Sequence, residues 1–237
     1  IEAHFAIDTF TVSASTDAHG TIDPASQVVN AGAQATVVVT PSAGYHVASI
    51  DSGCGGHLDG DVFVTDPVGA DCAINFAFGI DVLTVTGSGG AHGQIGPASQ
   101  MVEFGEPATL SVVPDAGYHA SASGCDGALI GTVYATAPVV SDCTVVALFT
   151  IDTYTVTTIA TAHGQVAPAT QSVTYGDVAR ATLTPDPGYQ AVIDAATTCP
   201  DGSFNGIEYT SGPILGPCVI SASFVFDPSA LRLHVDD

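Results

Sequence analysis

The chain has 237 residues and a formal net charge of -22, because 24 Asp and Glu residues stand against only two basic residues, Arg180 and Arg232. Binding to nucleic acid needs a basic surface, so this composition excludes it, and it disfavours binding to an anionic membrane. No segment is apolar over the length that a membrane-spanning helix needs, so insertion into a membrane is not expected either.

One ordered set of short motifs occurs three times. Ala-His-Gly, for example, places its histidine at 19, 92 and 163. An internal repeat decides the domain organisation, and we define residues 7–79, 80–150 and 151–226 as copies 1, 2 and 3. Residues 1–6 resemble the last strand of a further copy or a strand donated elsewhere, since Phe5 precedes an Ile-Asp pair. Residues 227–237 match no part of the repeat and are predicted to be a tail or linker.

Within each copy the elements follow the same order, which copy 1 illustrates. Residues 9–15 alternate apolar and hydroxyl side chains and predict a half-buried strand. His-Gly then marks a turn, a short strand runs into Pro-Ala-Ser-Gln, and Gly32 lies in a second turn. A core strand ends in proline, a fourth begins at Gly44-Tyr45, a Gly- and Asp-rich loop carries the first cysteine, and two more strands follow. No helical period persists, so the pattern predicts an all-β fold with little or no helix.

Two cysteines lie near the end of each copy, and the repeat symmetry selects one pairing, a bridge inside each copy. The predicted bridges are Cys54–Cys72, Cys125–Cys143 and Cys199–Cys218. Closing a loop of this length stabilises a domain by about 3 kcal/mol. A zinc site is disfavoured because the chain has no C-x-x-C motif. Disulfides instead indicate an oxidising compartment, so we expect a secreted or cell-surface bacterial protein.

Almost no linker separates the copies, since Phe78-Gly-Ile-Asp81 and Phe149-Thr-Ile-Asp152 lead directly into the next first strand. Short apolar joints of this kind predict a semi-rigid rod. The expected architecture is three tandem domains of roughly 70 residues, either β-grasp-like or β-sandwich-like, each with one internal disulfide.

The ordered motifs resemble the divergent InlB B-repeat modules of bacterial surface and secreted proteins, in their cysteine-containing version. The resemblance covers residues 7–226. Its landmarks in copy 1, with counterparts in the other copies, are Gly32, Gly44-Tyr45, Cys54, Cys72 and Phe78. It implies a small β-grasp-like fold, a spacer or weakly adhesive role and no catalytic residues. Copy 3 departs from the pattern, because Gln190 replaces the histidine after Gly-Tyr and the cysteine loop is longer.

Two recurring aromatic positions have both functional and structural interpretations. The histidines of Ala-His-Gly could bind a metal or sense pH, but one histidine per copy makes no cluster, so we favour a role in the turn. The tyrosines of Gly-Tyr could form a carbohydrate-binding row, but a tyrosine beside a turn glycine favours a packing anchor. These positions are His19, His92 and His163, and Tyr45, Tyr118 and Tyr189.

Calcium is the one cofactor that the acidic loops suggest. Calcium takes six or more oxygen ligands, whereas each loop offers one or two carboxylates, and Asp-Gly is a common turn pair. We therefore predict no cofactor, with calcium as the weaker alternative, either in these loops or at the joints beside Asp8, Asp81 or Asp152. The loop candidates are Asp59, Asp61, Asp126 and Asp201.

The chain contains no nucleophile elbow, zinc-protease motif, phosphate loop or nicotinamide fingerprint, so we expect no enzyme activity. The first hypothesis is a non-catalytic extracellular structural or adhesive repeat protein, a stalk or spacer. Its partners would be other protein domains, copies of itself, or host or surface glycans. The alternatives are a glycan- or calcium-binding surface module, and a filament subunit assembled head-to-tail by strand complementation. The assembly candidates are Ile1, Ala3, Phe5, Leu231, Leu233 and Val235.

Overall fold

The computed structural model describes residue 2 and residues 4–230, and it confirms the all-β expectation. Each copy folds into eight short strands, which form two four-stranded sheets. The one helical segment among the described residues is a single 3-10 turn at Pro228–Ala230. Because no α-helix crosses a sheet in this part of the chain, each copy is β-sandwich-like rather than β-grasp-like.

Copy 1 shows the topology. Its strands are β1 (Thr9–Thr16), β2 (Gly20–Asp23), β3 (Ser26–Asn30), β4 (Thr36–Pro41), β5 (Tyr45–Ser52), β6 (His57–Asp59), β7 (Val62–Val64) and β8 (Cys72–Ile80). One sheet has the order β3-β1-β8-β5 and the other β2-β4-β7-β6. β1 and β8 are parallel, whereas the other described pairs are antiparallel. The first and last strands of the copy therefore lie side by side in the middle of one sheet.

Copies 2 and 3 repeat this arrangement. Copy 2 comprises β9 (Val82–Gly89), β10 (Gly93–Gly96), β11 (Ser99–Glu103), β12 (Thr109–Pro114), β13 (Tyr118–Ser123), β14 (Ala128–Ile130), β15 (Val133–Ala135) and β16 (Cys143–Ile151). Copy 3 comprises β17 (Thr153–Ala160), β18 (Gly164–Ala167), β19 (Thr170–Thr174), β20 (Val178–Pro185), β21 (Tyr189–Ile193), β22 (Ser203–Phe204), β23 (Glu208–Pro213) and β24 (Cys218–Phe226). The sheet orders are β11-β9-β16-β13 and β10-β12-β15-β14 in copy 2, and β19-β17-β24-β21 and β18-β20-β23-β22 in copy 3.

The core of copy 1 lies between its two sheets. Successive side chains of a strand point to opposite faces, and β4 follows this rule, with Val37 and Val39 buried and Val38 exposed. The first sheet contributes Val12, Ile74 and Phe76 to this core, and the second contributes Val37, Val39 and Phe63. Copy 3 has the equivalent cluster, with Val156, Ile220 and Ala222 against Ala181, Leu183 and Tyr209.

A buried hydroxyl side chain lies in or directly after the seventh strand of each copy, which is β7, β15 or β23. Thr65 is 1% exposed, and its Oγ1 accepts a hydrogen bond from the backbone N–H of Ala35 at 2.9 Å. Thr136 and Ser211 do the same for Ala108 and Ala179, both at 2.8 Å. A buried N–H without a partner is costly, which explains why a hydroxyl residue recurs at this position.

The recurring glutamine joins the two sheets. Gln27 lies on β3 in the first sheet, and its Nε2 donates to the carbonyl of Thr36 on β4 in the second sheet at 2.8 Å. Gln100 and Gln171 make the same bond to Thr109 and Arg180, at 3.0 and 2.9 Å. Side-chain bonds of this kind fix how the two layers meet.

Two features of the strands differ from the sequence-based expectation. The Gly- and Asp-rich cysteine loop contains a short strand in each copy, β6, β14 and β22. The stretch after His-Gly forms two strands in each copy, not one, and the two strands lie in different sheets. A cis X-Pro peptide bond lies between the two strands, at Pro24, Pro97 and Pro168. The chain therefore passes from one sheet to the other at the proline of the Pro-Ala-Ser/Thr-Gln motif.

The chain divides into two compact units, and the division runs through copy 2. One unit holds the residues up to Ser88 together with Gly96–Ser111 and Ser123–Val146, and the other holds Gly89–Ile95 and Val112–Ala122 together with the residues from Ala147 onward. The joint between copies 1 and 2 lies within the first unit, and the joint between copies 2 and 3 lies within the second.

Candidate functional site

Many of the recurring residues lie next to the first and last strands of a copy or at the joint to the next copy. We call β1 with β8, and β17 with β24, the terminal strand pairs. The pair in copy 1 runs in parallel register from Val12 opposite Cys72 to Thr16 opposite Phe76. The pair in copy 3 runs from Val156 opposite Cys218.

Two aspartates lie at the two ends of the terminal strand pair in copy 1. At the start, Asp71 Oδ1 accepts a hydrogen bond from the backbone N–H of Thr11 at 2.7 Å. At the end, Asp17 Oδ2 accepts from the N–H of Phe78, and its Oδ1 accepts from the N–H of His19, both at 3.0 Å. These bonds, the one from Phe78 above all, hold the pKa of Asp17 below its ordinary value, because they stabilise the ionised carboxylate.

Each of the other copies has a related contact at one of these two ends. Asp142 accepts from the N–H of Thr84 at 2.7 Å, as Asp71 does in copy 1. In copy 3 the hydroxyl of Thr161 takes the place of Asp17 and accepts from the N–H of Phe224 at 3.2 Å. These groups were not predicted from the sequence, although an aspartate directly before the second cysteine in two of the copies was a usable signal.

The Ala-His-Gly motif closes over the last phenylalanine of each copy. A Cβ added to Gly20 would overlap the ring of Phe78. The same overlap occurs between Gly93 and Phe149 and between Gly164 and Phe224. Only glycine leaves room for the ring, which accounts for the recurrence of this glycine.

The histidine of the same motif stacks on the tyrosine of Gly-Tyr. The ring centroids of His19 and Tyr45 are 4.4 Å apart with planes 5° from parallel. The pairs His92–Tyr118 and His163–Tyr189 repeat this at 4.3 and 4.2 Å. The motifs predicted separate structural roles for these residues, in the turn and as a packing anchor, and the structure brings them into contact.

One residue forms the first joint. β8 ends at Ile80 and β9 begins at Val82, so Asp81 alone separates the last strand of copy 1 from the first strand of copy 2. Its N–H donates to the carbonyl of Gly44 at 2.8 Å, and its carbonyl accepts from the N–H of Phe104 at 2.9 Å. Asp152 is bonded in the same way to Gly117 and Tyr175, at 2.8 and 2.9 Å. Both joints are therefore hydrogen-bonded on each side.

An aromatic ring from the next copy fills each joint. Gly44 has a φ of +80°, and a Cβ on it would overlap the ring of Phe104. Gly117, with a φ of +81°, receives Tyr175 in the same way. Copy 1 has Ala31 at the position of these aromatic residues. The aromatic before the turn glycine is a residue that the sequence analysis left without a role.

A histidine–aspartate pair lies beside each joint. Nδ1 of His46 is 2.7 Å from Oδ1 of Asp81, and Nδ1 of His119 is 2.7 Å from Oδ1 of Asp152. In copy 3 Gln190 stands at the histidine position. The pair becomes an ion pair when the histidine is protonated, and the exposure of both histidines keeps that attraction modest.

The three disulfides form within the copies, as predicted. Cys54–Cys72, Cys125–Cys143 and Cys199–Cys218 have Cα–Cα distances of 5.4, 5.6 and 4.9 Å. The second cysteine of each is the first residue of the last strand. Each disulfide therefore ties the cysteine loop to the start of a terminal strand.

The calcium candidates are distributed over the three copies. Asp59 ends β6, Asp61 follows Gly60 in the adjoining hairpin turn, and Asp126 and Asp201 lie in the disulfide loops of copies 2 and 3. The described residues contain no group of three or more histidine, cysteine or acidic side chains placed to hold a metal ion. The expectation of no cofactor, with calcium as the weaker alternative, stays a prediction.

The assembly candidates fall mostly outside the described part of the chain. Phe5 is described, 96% exposed and outside any strand. The remaining candidates, Ile1, Ala3, Leu231, Leu233 and Val235, lie outside the described residues.

Comparison with known proteins identifies the repeat. The sequence matches the divergent InlB B-repeat domain over residues 10–67, 83–153 and 154–192. The chain therefore belongs to the divergent InlB B-repeat family, as the motifs indicated. No curated protein matches the sequence.

Among solved structures, the Bacillus anthracis TIE protein gives a partial match, with a TM-score of 0.34 and 8% sequence identity. The match covers 92% of this chain and 50% of that protein, so the chain spans half the length of the matched structure. The disulfides and the family together fit an extracellular location. Among the described residues, no helix has the length and apolar character needed to cross a membrane.

Proposed function

We propose that this chain is a non-catalytic spacer, a structural segment that holds another domain of a bacterial surface protein away from its point of attachment. The observation that carries the proposal is the first joint, where Asp81 alone connects two copies and the ring of Phe104 packs against Gly44. A long flexible linker lets domains move independently. A one-residue joint with a packed aromatic and two backbone hydrogen bonds restricts that movement.

Composition supports a spacer as well. Small domains bury little apolar surface, and one disulfide in each copy offsets this weakness. A net charge of -22 keeps neighbouring molecules apart, which suits segments crowded on a surface. Membership of the divergent InlB B-repeat family supports a non-catalytic role.

The test measures how far the chain holds a reporter from a surface. The chain is displayed between a membrane anchor and a fluorescent domain, and the distance of that domain from the membrane is measured. We expect deletion of residues 81–151 to bring the fluorescent domain closer to the membrane by the length of one copy. A flexible Gly-Ser insertion at Asp81 should broaden the distribution of distances, and the same insertion at Gly60 is the control, because Gly60 lies in a hairpin turn away from the joints.

A distance that does not depend on the number of copies would overturn the spacer proposal. So would an insertion at Asp81 that behaves like the insertion at Gly60, since the joint would then add no constraint.

A filament subunit is the second candidate, and the exposure of Phe5 and Ile7, 96% and 69%, is the observation that favours it. An extended apolar segment can add a strand to a neighbour's sheet, and head-to-tail contacts of that kind continue without closing. Electron microscopy and solution mass of the non-reduced protein decide between the two. Fibres that disappear with Phe5→Ser support the filament, and a monomer at high concentration removes it.

A further inference from the structure

The terminal strands of each copy are also the points where the neighbouring chain is attached. Tension along the protein therefore enters copy 1 through β1 and leaves it through β8. We propose that the terminal strand pairs are built to resist this tension, which makes the chain a tension-bearing tether and not only a spacer. The inference rests on the proposed spacer function and adds a mechanical property to it.

Strand direction decides how the pair is loaded. β1 and β8 are adjacent and parallel, with register from Val12–Cys72 to Thr16–Phe76. Pulling β1 toward the N-terminus and β8 toward the C-terminus makes the strands slide along each other, so the hydrogen bonds between them share the load. Parallel hydrogen bonds are evenly spaced, and none of them can break first without the others stretching. A pair pulled apart from one end loses its bonds one after another and separates at lower force.

The side-chain contacts lengthen this pair in copy 1. Asp71 bonds to the N–H of Thr11 before the first paired residues, and Asp17 bonds to the N–H of Phe78 after the last. Hydrogen bonds to a charged group are stronger than those between neutral groups. In copy 3, Pro217 stands where Asp71 stands in copy 1, so its pair lacks the acceptor at that position.

The joints and disulfides suit the same role. Asp81 passes tension from β8 to β9 with no slack between them. Cys72 is both the first residue of β8 and one end of the disulfide. If the pair breaks, the segment from Cys54 to Cys72 stays closed, and the length that copy 1 releases is limited.

Single-molecule force spectroscopy on the whole non-reduced chain, held at its two ends, tests the proposal. We expect three unfolding events at forces several-fold higher than the force needed when handles are placed at Ser15 and Asn75. Ser15 and Asn75 are exposed partners in the terminal strand pair of copy 1. Pulling on them opens the same pair from one end, so the two experiments differ in loading direction and share the same bonds.

A substitution supplies the second arm. Asp71→Ala should lower the force of one event and leave the other two unchanged. Asp59→Ala is the matched control, since Asp59 is an exposed acid at the end of β6 in the same copy and outside the pair. Circular dichroism confirms that both variants fold.

Reduction tests the disulfide contribution. Because the closed segment spans 18 positions, reduction should lengthen the released chain by roughly 55 Å for copy 1. Equal forces in the two pulling directions, or equal effects of Asp71→Ala and Asp59→Ala, would overturn the tether proposal. The spacer proposal would survive that result, because its test measures distance without applied force.

Discussion

The aromatic ring of Phe104 in copy 2 packs against the Cα of Gly44 in copy 1. Gly44 has a φ of +80°, so it combines a left-handed backbone with a neighbour that excludes any side chain. Asp81 lies beside this contact and is hydrogen-bonded to the backbone of both residues. The recurring Gly-Tyr motif is therefore part of the joint as well as the start of a strand.

Gly44→Ala should destabilise the protein by more than a backbone penalty alone. A left-handed alanine costs about 1–2 kcal/mol, and overlap with the ring of Phe104 adds about 1–3 kcal/mol. Gly32→Ala is the matched control, because Gly32 has a φ of +78° and no atom within 4 Å of an added Cβ. Denaturant unfolding gives both values, and equal losses would show that the ring contributes nothing.

Thr65→Val should lower the free energy of unfolding by about 1–3 kcal/mol, because the substitution keeps the shape and leaves a buried N–H without its acceptor. The N–H concerned is that of Ala35, 2.9 Å from the hydroxyl. Thr40→Val is the control, since Thr40 lies on the exposed face of β4. A loss no larger than that of the control would mean that water or another group replaces the hydroxyl.

Asp17 should make stability depend on pH in the acid range. Its pKa is lowered in the folded protein, chiefly by the N–H of Phe78, so the unfolded state binds a proton first as pH falls. The stabilisation is therefore complete above the unfolded pKa, about 3.9, and is lost as pH falls through the lower folded value.

The measurement for Asp17 compares urea midpoints of the wild type and Asp17→Asn across pH. The difference should be largest near neutral pH and should shrink in acid. A difference that stays constant through the acid range would show that the charge of Asp17 does not stabilise the pair.

Replacing Cys54 and Cys72 together with serine should destabilise copy 1 by about 2–4 kcal/mol, because the unfolded chain loses its closed loop. Calorimetry of the oxidised double variant should show one transition moved to lower temperature. Reduction of the wild type should lower the melting temperature of all three copies. A double variant that melts at the same temperature as the oxidised wild type would contradict stabilisation by the disulfide.

Features that depend on near neighbours along the chain could be predicted from the amino-acid sequence. Alternation of apolar and hydroxyl residues predicted the main strands, and turn glycines such as Gly32 and Gly44 predicted where strands end or begin. The recurrence of the motifs predicted the three copies and the disulfide pairing. Strand β6 was not predicted, because it has only three residues and lies in a Gly- and Asp-rich loop. It forms because it pairs with β7, and local propensity alone does not favour it.

Contacts between residues far apart in the chain depend on how each copy packs as a whole. β1 and β8 lie side by side because both must bury one face against the second sheet, through Val12 and Ile74 in a shared core. The two strands run parallel, and the tether proposal depends on that direction. The same packing also brings His19 onto Tyr45 and Asp17 onto Phe78. No spacing along the chain shows these contacts, because packing of the whole copy determines them.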